Sequence, residues 1–280
     1  MLTELWYELG RLRGRIIGWG IGLAVYALMM VLLYPNVVAM DFAAYLEAFP
    51  EEMLAFFPGI TQIGTPVGYL DTYYYNYMTV IAGILAVGVG AGLLVRQEEA
   101  GILDLILAHP VSRTALFWGR YLAMLICLAI VLLAGQVAWM IPPQSADLGL
   151  SWQEFTRPAL PLLAELALFG SLALLLSMLL PSARMAGGLV GALLVANFLL
   201  VGMANLNADL ERIVAYTPLH FYQGGFAVEG VNWGWLGGLM GAALVMAVIA
   251  WLLFLRRDIR VGGEHEWRLL PRRRRSSQQA

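Results

Sequence analysis

The side chains that could do covalent chemistry are few in this chain, and their positions narrow what chemistry is open to them. Ser171, preceded by Gly170, stands inside a long apolar run, where a serine nucleophile would need a histidine within hydrogen-bonding reach. The three histidines, His109, His220 and His265, all fall outside the apolar runs, which argues against intramembrane hydrolysis. No pair of His or Cys has the spacing of metal ligands, and the single cysteine, Cys127, excludes an intrachain disulfide. Lysine is absent, so all 17 basic residues are arginine, and a Walker A phosphate loop cannot form without its lysine. The chain is expected to bind no cofactor and to hydrolyse no ATP by itself. An ion-driven carrier would need ionisable groups deep in the membrane, yet Glu165 is the one acid in an apolar run. It lies about a turn from Pro161 at the edge of that run, where it is expected to snorkel or to hydrogen-bond locally. Gln136 and Asn197 are uncharged and read as interhelical hydrogen-bond partners, either of which could also face a substrate path.

The densest polar stretch between two apolar runs is Arg96-Gln-Glu-Glu-Ala-Gly-Ile-Leu-Asp-Leu-Ile-Leu-Ala-His-Pro-Val-Ser-Arg113. Its apolar core, Ile102 to Ala108, would be about 10 Å long as a helix, too short to span a bilayer, so it is expected to lie along the membrane surface. Glu98 and Glu99 stand where such a helix would begin, and His109-Pro110 would end it. Ile102, Leu103, Leu105, Ile106 and Leu107 leave Asp104 as the only charge, more apolar surface than a solvated loop carries.

At these residues the chain resembles the permease subunits of ABC-2 type transporters, where an acidic pair, a glycine, a short leucine-rich helix and Pro-x-Ser-Arg join the second and third membrane helices. Glu98-Glu99-Ala-Gly101, the run from Ile102 to Leu107 and Pro110-Val-Ser112-Arg113 carry the likeness. Ile102 stands where the family usually has Thr, and Asp104 where it usually has Glu. The resemblance implies a coupling helix that docks on a separate ATPase subunit, which would hold the ATP and magnesium. Gly101, Ile102, Leu105, Ile106 and Pro110 would shape the docking face, and Glu98, Glu99, Asp104 and Arg113 would set its register through charge pairs. The alternative is an interfacial helix that merely anchors a hairpin. In exporters of the type V arrangement a re-entrant element precedes the last helix, and Tyr216-Thr-Pro218-Leu-His-Phe-Tyr222 resembles its proline-containing break.

These side chains must be held by membrane helices. Of 280 residues 60% are hydrophobic and 13% charged, with a mean hydropathy of +0.73, which identifies an integral membrane protein. The fold class is all-α, with six spans at about 16–34, 73–95, 116–141, 159–180, 185–204 and 234–255 in one permease domain, 1–255, followed by a basic tail, 256–280. Met1 to Arg15 is amphipathic and suits the headgroup plane, and Pro35 is expected to end the first span. Residues 36–72 recur in apolar positions, among them Phe42, Tyr45, Phe49 and Phe56, as an external interfacial helix. Tyr73, Tyr74, Tyr75 and Tyr77 read as an aromatic belt, with substrate stacking as the alternative. Four-residue glycine spacing at Gly14-Gly18-Gly22, Gly88-Gly92, Gly187-Gly191, Gly234-Gly238 and Gly237-Gly241 favours tight helix contacts.

Fifteen arginines fall on one side of these spans against Arg157 and Arg212 on the other, so both termini are expected in the cytoplasm of a multi-pass cell-membrane protein. The row Arg272 to Arg275 would anchor the tail to anionic lipid. Six spans enclose a pathway poorly, so a second copy or close homologue is expected beside the ATPase; no nucleic-acid partner is. Tyr77, Met78, Phe198 and Met203, with Gln136 and Asn197, are candidate lining of a path for a hydrophobic or amphipathic cargo moved outward. Sodium, peptide or polysaccharide cargoes occur in the same family and stay open.

Overall fold

The computed structural model of the chain describes residues 1–40, 50, 62–109, 111–204 and 207–257. Among them six helices are long and apolar enough to cross a membrane. They are α1 (Leu2–Val38), α2 (Pro66–Gly92), α5 (Arg113–Met140), α7 (Ala159–Leu179), α8 (Ala183–Ala204) and α10 (Trp233–Arg256). Between them lie α3 (Val95–Glu99), α4 (Leu103–Leu107), α6 (Trp152–Thr156) and α9 (Ala208–Val214). No strand occurs among the described residues.

Two features of α1 differ from the sequence reading. The first fifteen residues are no separate helix: they are continuous with the rest of α1, and Leu5, Glu8 and Leu12 are buried as α1 packs along α5. Pro35 does not end the helix, which runs on to Val38. A proline lacks one amide and crowds one carbonyl, and this close to the helix end few bonds remain to be lost. The helix α2 begins at Pro66, where Thr65 caps it by accepting from the Gly68 amide at 3.1 Å, and it widens into a π-type turn over Asp71–Tyr75. That turn moves Tyr74 and Tyr75 into the core, so they form no interfacial belt. The expected external residues Phe42, Tyr45, Phe49 and Phe56, together with Pro110 and the row Arg272 to Arg275, lie outside the described residues.

The core is built around α7, which packs between α2 and α10, while α1 lies along α5 and α8 lies on α2. Of the most apolar stretch of α7, 72% is buried, against 22% in α1 and 28% in α8 and in α10, so the last three present most of their surface outward. The glycine spacings misplace the close contacts. A Cβ on Gly90 would fall 2.1 Å from the Gly170 carbonyl oxygen, and one on Gly83 would fall 2.3 Å from Leu194 Cδ2. Gly14, Gly18, Gly22, Gly88, Gly191, Gly237, Gly238 and Gly241 meet nothing within 4 Å, and Gly187 only Ala91 and Val87 at ordinary contact distances. Backbone crossing is set by which glycine a neighbour reaches, and spacing alone does not carry that information.

Candidate functional site

The segment joining α2 to α5 is built by one glycine. Gly101 has φ 66, a left-handed conformation that favours glycine, and its amide bonds to the Glu98 carbonyl at 3.0 Å. The Ile102 amide bonds to the Gln97 carbonyl at 2.9 Å, which completes the paired closure that ends a helix on a glycine. Glu98 and Glu99 therefore close α3, and do not open α4 as the sequence suggested. The α4 helix is five residues long, with Leu103 at 1% exposure turned into the core and Ile106 and Leu107 partly buried against it. Ile102 and Leu105 face out at 43% and 66% exposure. His109 Nδ1 lies 3.0 Å from the Leu105 carbonyl, and Ser112 caps α5 by accepting from the Ala115 amide at 3.2 Å.

Three of the charged residues around α4, Glu98, Glu99 and Arg113, bond to other parts of the same subunit. Glu98, 6% exposed, pairs with Arg257 at 3.2 Å, and Arg257 donates to the carbonyls of Ser177 and Met178 at 3.3 and 3.0 Å. Glu99 accepts from the Ala183 amide at 2.9 Å, at the start of α8. Arg113 donates to the carbonyls of Phe254, Leu255 and Arg257 at 3.4, 3.2 and 2.9 Å and lies 6.0 Å over the Phe254 ring. The last carbonyls of a helix and its first amides lack internal partners, so guanidinium groups at the ends of α7 and α10 and a carboxylate at the start of α8 meet both the orphaned groups and the helix dipoles. Through these bonds the α3–α4 segment is tied to three spans at once. Arg120, fully buried, extends the tie by donating to the Leu93 carbonyl at 3.2 Å and lying 3.9 Å from Glu8.

The proposed path residues do not assemble into one lining. Gln136 donates to the Tyr75 hydroxyl at 2.7 Å deep in the core, and Asn197 accepts from the Leu219 amide at 3.2 Å. Tyr77 and Phe198 are neighbours with ring centroids 6.5 Å apart, Met78 is buried, and Met203 faces outward. At the end away from α4, the segment after α9 is pinned to α2: Asp71 accepts from the Gly225 amide at 2.7 Å, and Tyr222 donates to the Tyr75 carbonyl at 3.0 Å. Glu165 neither snorkels nor bonds locally. It is fully buried, and neither carboxylate oxygen has a hydrogen-bond partner among the described residues.

Residues 12–259 match the sequence family described as ABC-2 family transporter protein, most of the chain. The chain belongs to the ABC-2 transporter family. No curated protein matches it. Within this ABC-2 permease the matched region takes in the α3–α4 segment and its ties through Arg113 and Arg257, while Glu8 falls just before it. Ser171 lies 2.9 Å from the Tyr121 hydroxyl, a pairing between two buried hydroxyls that supplies no base. Family membership makes the chain a transmembrane component of a transporter, a class whose members normally work with an ABC ATPase and as dimers. Arg257, Glu8 and Arg120 were not legible as site residues. Arg257 reads in sequence as the first residues of a basic tail, and Glu8 and Arg120 sit 112 positions apart with no shared motif.

Proposed function

We propose that this ABC-2 permease is the membrane half of an ATP-driven exporter in which α4 receives the motion of a separate ATPase subunit. One observation carries the reading: Ile102, at the cap, and Leu105 stand exposed at a five-residue helix whose flanking residues Glu98, Glu99 and Arg113 are bonded to the ends of α7, α8 and α10. An apolar face with rigid ties behind it suits a contact that must transmit displacement. Glu98, Glu99 and Arg113 then act inside the subunit, and docking rests on Ile102, Leu105 and Asp104. ATP and magnesium are held by the partner, two permease copies enclose the path, and both termini face the ATPase side. The segment from α9 to Val228 forms the outer gate, and a path with few charges suits a hydrophobic or amphipathic cargo.

The test is co-purification with the ATPase and its hydrolysis rate in liposomes. Leu105→Asp is expected to lower ATPase binding at least tenfold and to abolish stimulation, because it places a charge in an apolar contact. Leu105 is exposed, so the permease itself keeps its melting temperature. Unchanged binding and stimulation in Leu105→Asp would refute α4 as the docking element.

A further inference from the structure

The ring contacts between α1 and α2 lie toward one end of the pair. Tyr34 meets Tyr69 with centroids 4.9 Å apart, and Tyr26 meets Tyr74 at 5.8 Å, with the Tyr26 hydroxyl also donating to the Tyr73 carbonyl. Next to Tyr26, on the side of Arg15, a groove of about 580 Å³ opens between the helices. Its floor on α1 is Gly14, Gly18 and Gly22, where an added Cβ would meet nothing within 4 Å, and Trp19 and Met78 wall it. From Arg15 to Tyr26 the helix rises about 16 Å, close to the roughly 15 Å of one hydrocarbon leaflet.

Arg15 stands at the polar mouth of this groove. It is half-buried and forms no ion pair or hydrogen bond with any described residue. Arg96 and Arg11 both stand close enough to Arg15 to repel it, and the nearby Glu8 carboxylate is engaged by Arg11 at 3.3 Å. Arg96 lies back along α2, since a Cβ on Gly92 would come within 2.6 Å of its Nε. Arg15 thus lines one end of an apolar slot, with the exposed Arg96 within electrostatic range of it. A guanidinium takes a phosphate through paired N–H donors, and a half-buried cation in a positive field gains from one.

We propose that the α1–α2 groove is a binding site for an anionic phospholipid, with its phosphate between Arg15 and Arg96 and an acyl chain along Gly14, Gly18 and Gly22. The site goes beyond the export reading and holds for any cargo. A basic pocket between membrane helices is the arrangement that selects anionic headgroups over zwitterionic ones.

Native mass spectrometry of the purified full chain in detergent, titrated with equal phosphatidylglycerol and phosphatidylcholine, tests it. The expected result is a roughly 30-fold preference for phosphatidylglycerol from two arginines, reduced to parity by Arg15→Gln with Arg96→Gln. Gly18→Leu fills open space, so the protein is expected to keep its melting temperature and to lose both lipids; Gly22→Leu repeats the test at a second position. Parity in the wild type would overturn the proposal, as would lipid retention undiminished in both leucine variants. Displacement of phosphatidylglycerol by inorganic phosphate alone would show an anion site without a lipid and would also overturn it. Gly18→Leu breaking a dimer while leaving lipid bound would assign the groove to a second copy instead.

Discussion

The contact between α2 and α7 and the outward face of α1 share a chemistry, glycine on a membrane helix, and differ in what surrounds it. At Gly90 an added Cβ would overlap the Gly170 carbonyl at 2.1 Å, and at Gly170 it would press on Met124 Sδ at 3.2 Å. At Gly14, Gly18 and Gly22 it would meet nothing. The first set fixes how closely two interior backbones cross. The second leaves a vacancy on a helix of which only 22% of the apolar stretch is buried, available to lipid or to another chain. Glycine on the α2–α7 contact is therefore a folding residue, and glycine on the rim is a surface residue whose partner lies outside the chain.

The largest effect expected of this difference is at Gly90. Gly90→Ala forces a methyl into a backbone oxygen that no side-chain rotation can move, and overpacking of this kind costs about 3 kcal/mol. The measured outcome is a sharp loss of folded, monodisperse protein, while Gly14→Ala in parallel keeps the wild-type yield. Equal behaviour of the two variants would break the comparison.

Next in size is the tie behind α4. Arg257→Ala removes the ion pair with Glu98, whose side chain is 6% exposed, and takes the guanidinium donor from the carbonyls of Ser177 and Met178, at about 2 kcal/mol once the partial exposure of Arg257 is allowed for. The melting temperature should fall, and hydrolysis should uncouple from transport while ATPase binding stays unchanged. The exchange Glu98→Arg with Arg257→Glu should recover part of the coupling. Were Glu98 a docking residue, Glu98→Arg would weaken ATPase binding and the Arg257→Glu partner would not restore it.

A smaller effect of opposite sign is expected at Glu165. Its carboxyl is fully buried on the central helix with no hydrogen-bond partner among the described residues. Glu165→Leu removes an unsatisfied polar group at similar volume and should raise the melting temperature, by an amount on the order of 1 kcal/mol of stability. A fall in melting temperature would show that a bound water or a partner chain satisfies the carboxyl, which then belongs with the folding residues.

Much of the architecture was legible because a bilayer imposes a long apolar helix wherever the chain crosses it. The end of α10 and the Pro181-Ser182 turn before α8 could be read from composition and proline placement. The π-type turn at Asp71–Tyr75 could not, since no residue type encodes it, and it decides that Tyr74 and Tyr75 lie inside. At the candidate site the short apolar helix and its glycine were legible, but the direction of its charges was not. Glu98 reads the same whether it faces an ATPase or Arg257, because its partner is 159 positions away and unmarked. Pattern reading locates a face; only packing tells which way the face points.

The smallest effect should come from α10, where Gly237 and Gly241 meet nothing within 4 Å. Glycine inside a helix is less favourable than alanine by roughly 0.5–1 kcal/mol, so with no neighbour to disturb, Gly237→Ala with Gly241→Ala should hold or slightly raise the melting temperature of the isolated subunit. The same change tests what covers this face. If lipid does, the dimer fraction by native mass spectrometry stays constant, because a methyl replaces nothing but solvent or acyl chain. If a second copy packs its backbone there, the added methyls push the helices apart and the dimer dissociates while the subunit stays folded. A loss of stability in the isolated subunit itself would place these glycines with Gly90 and erase the distinction between interior and rim.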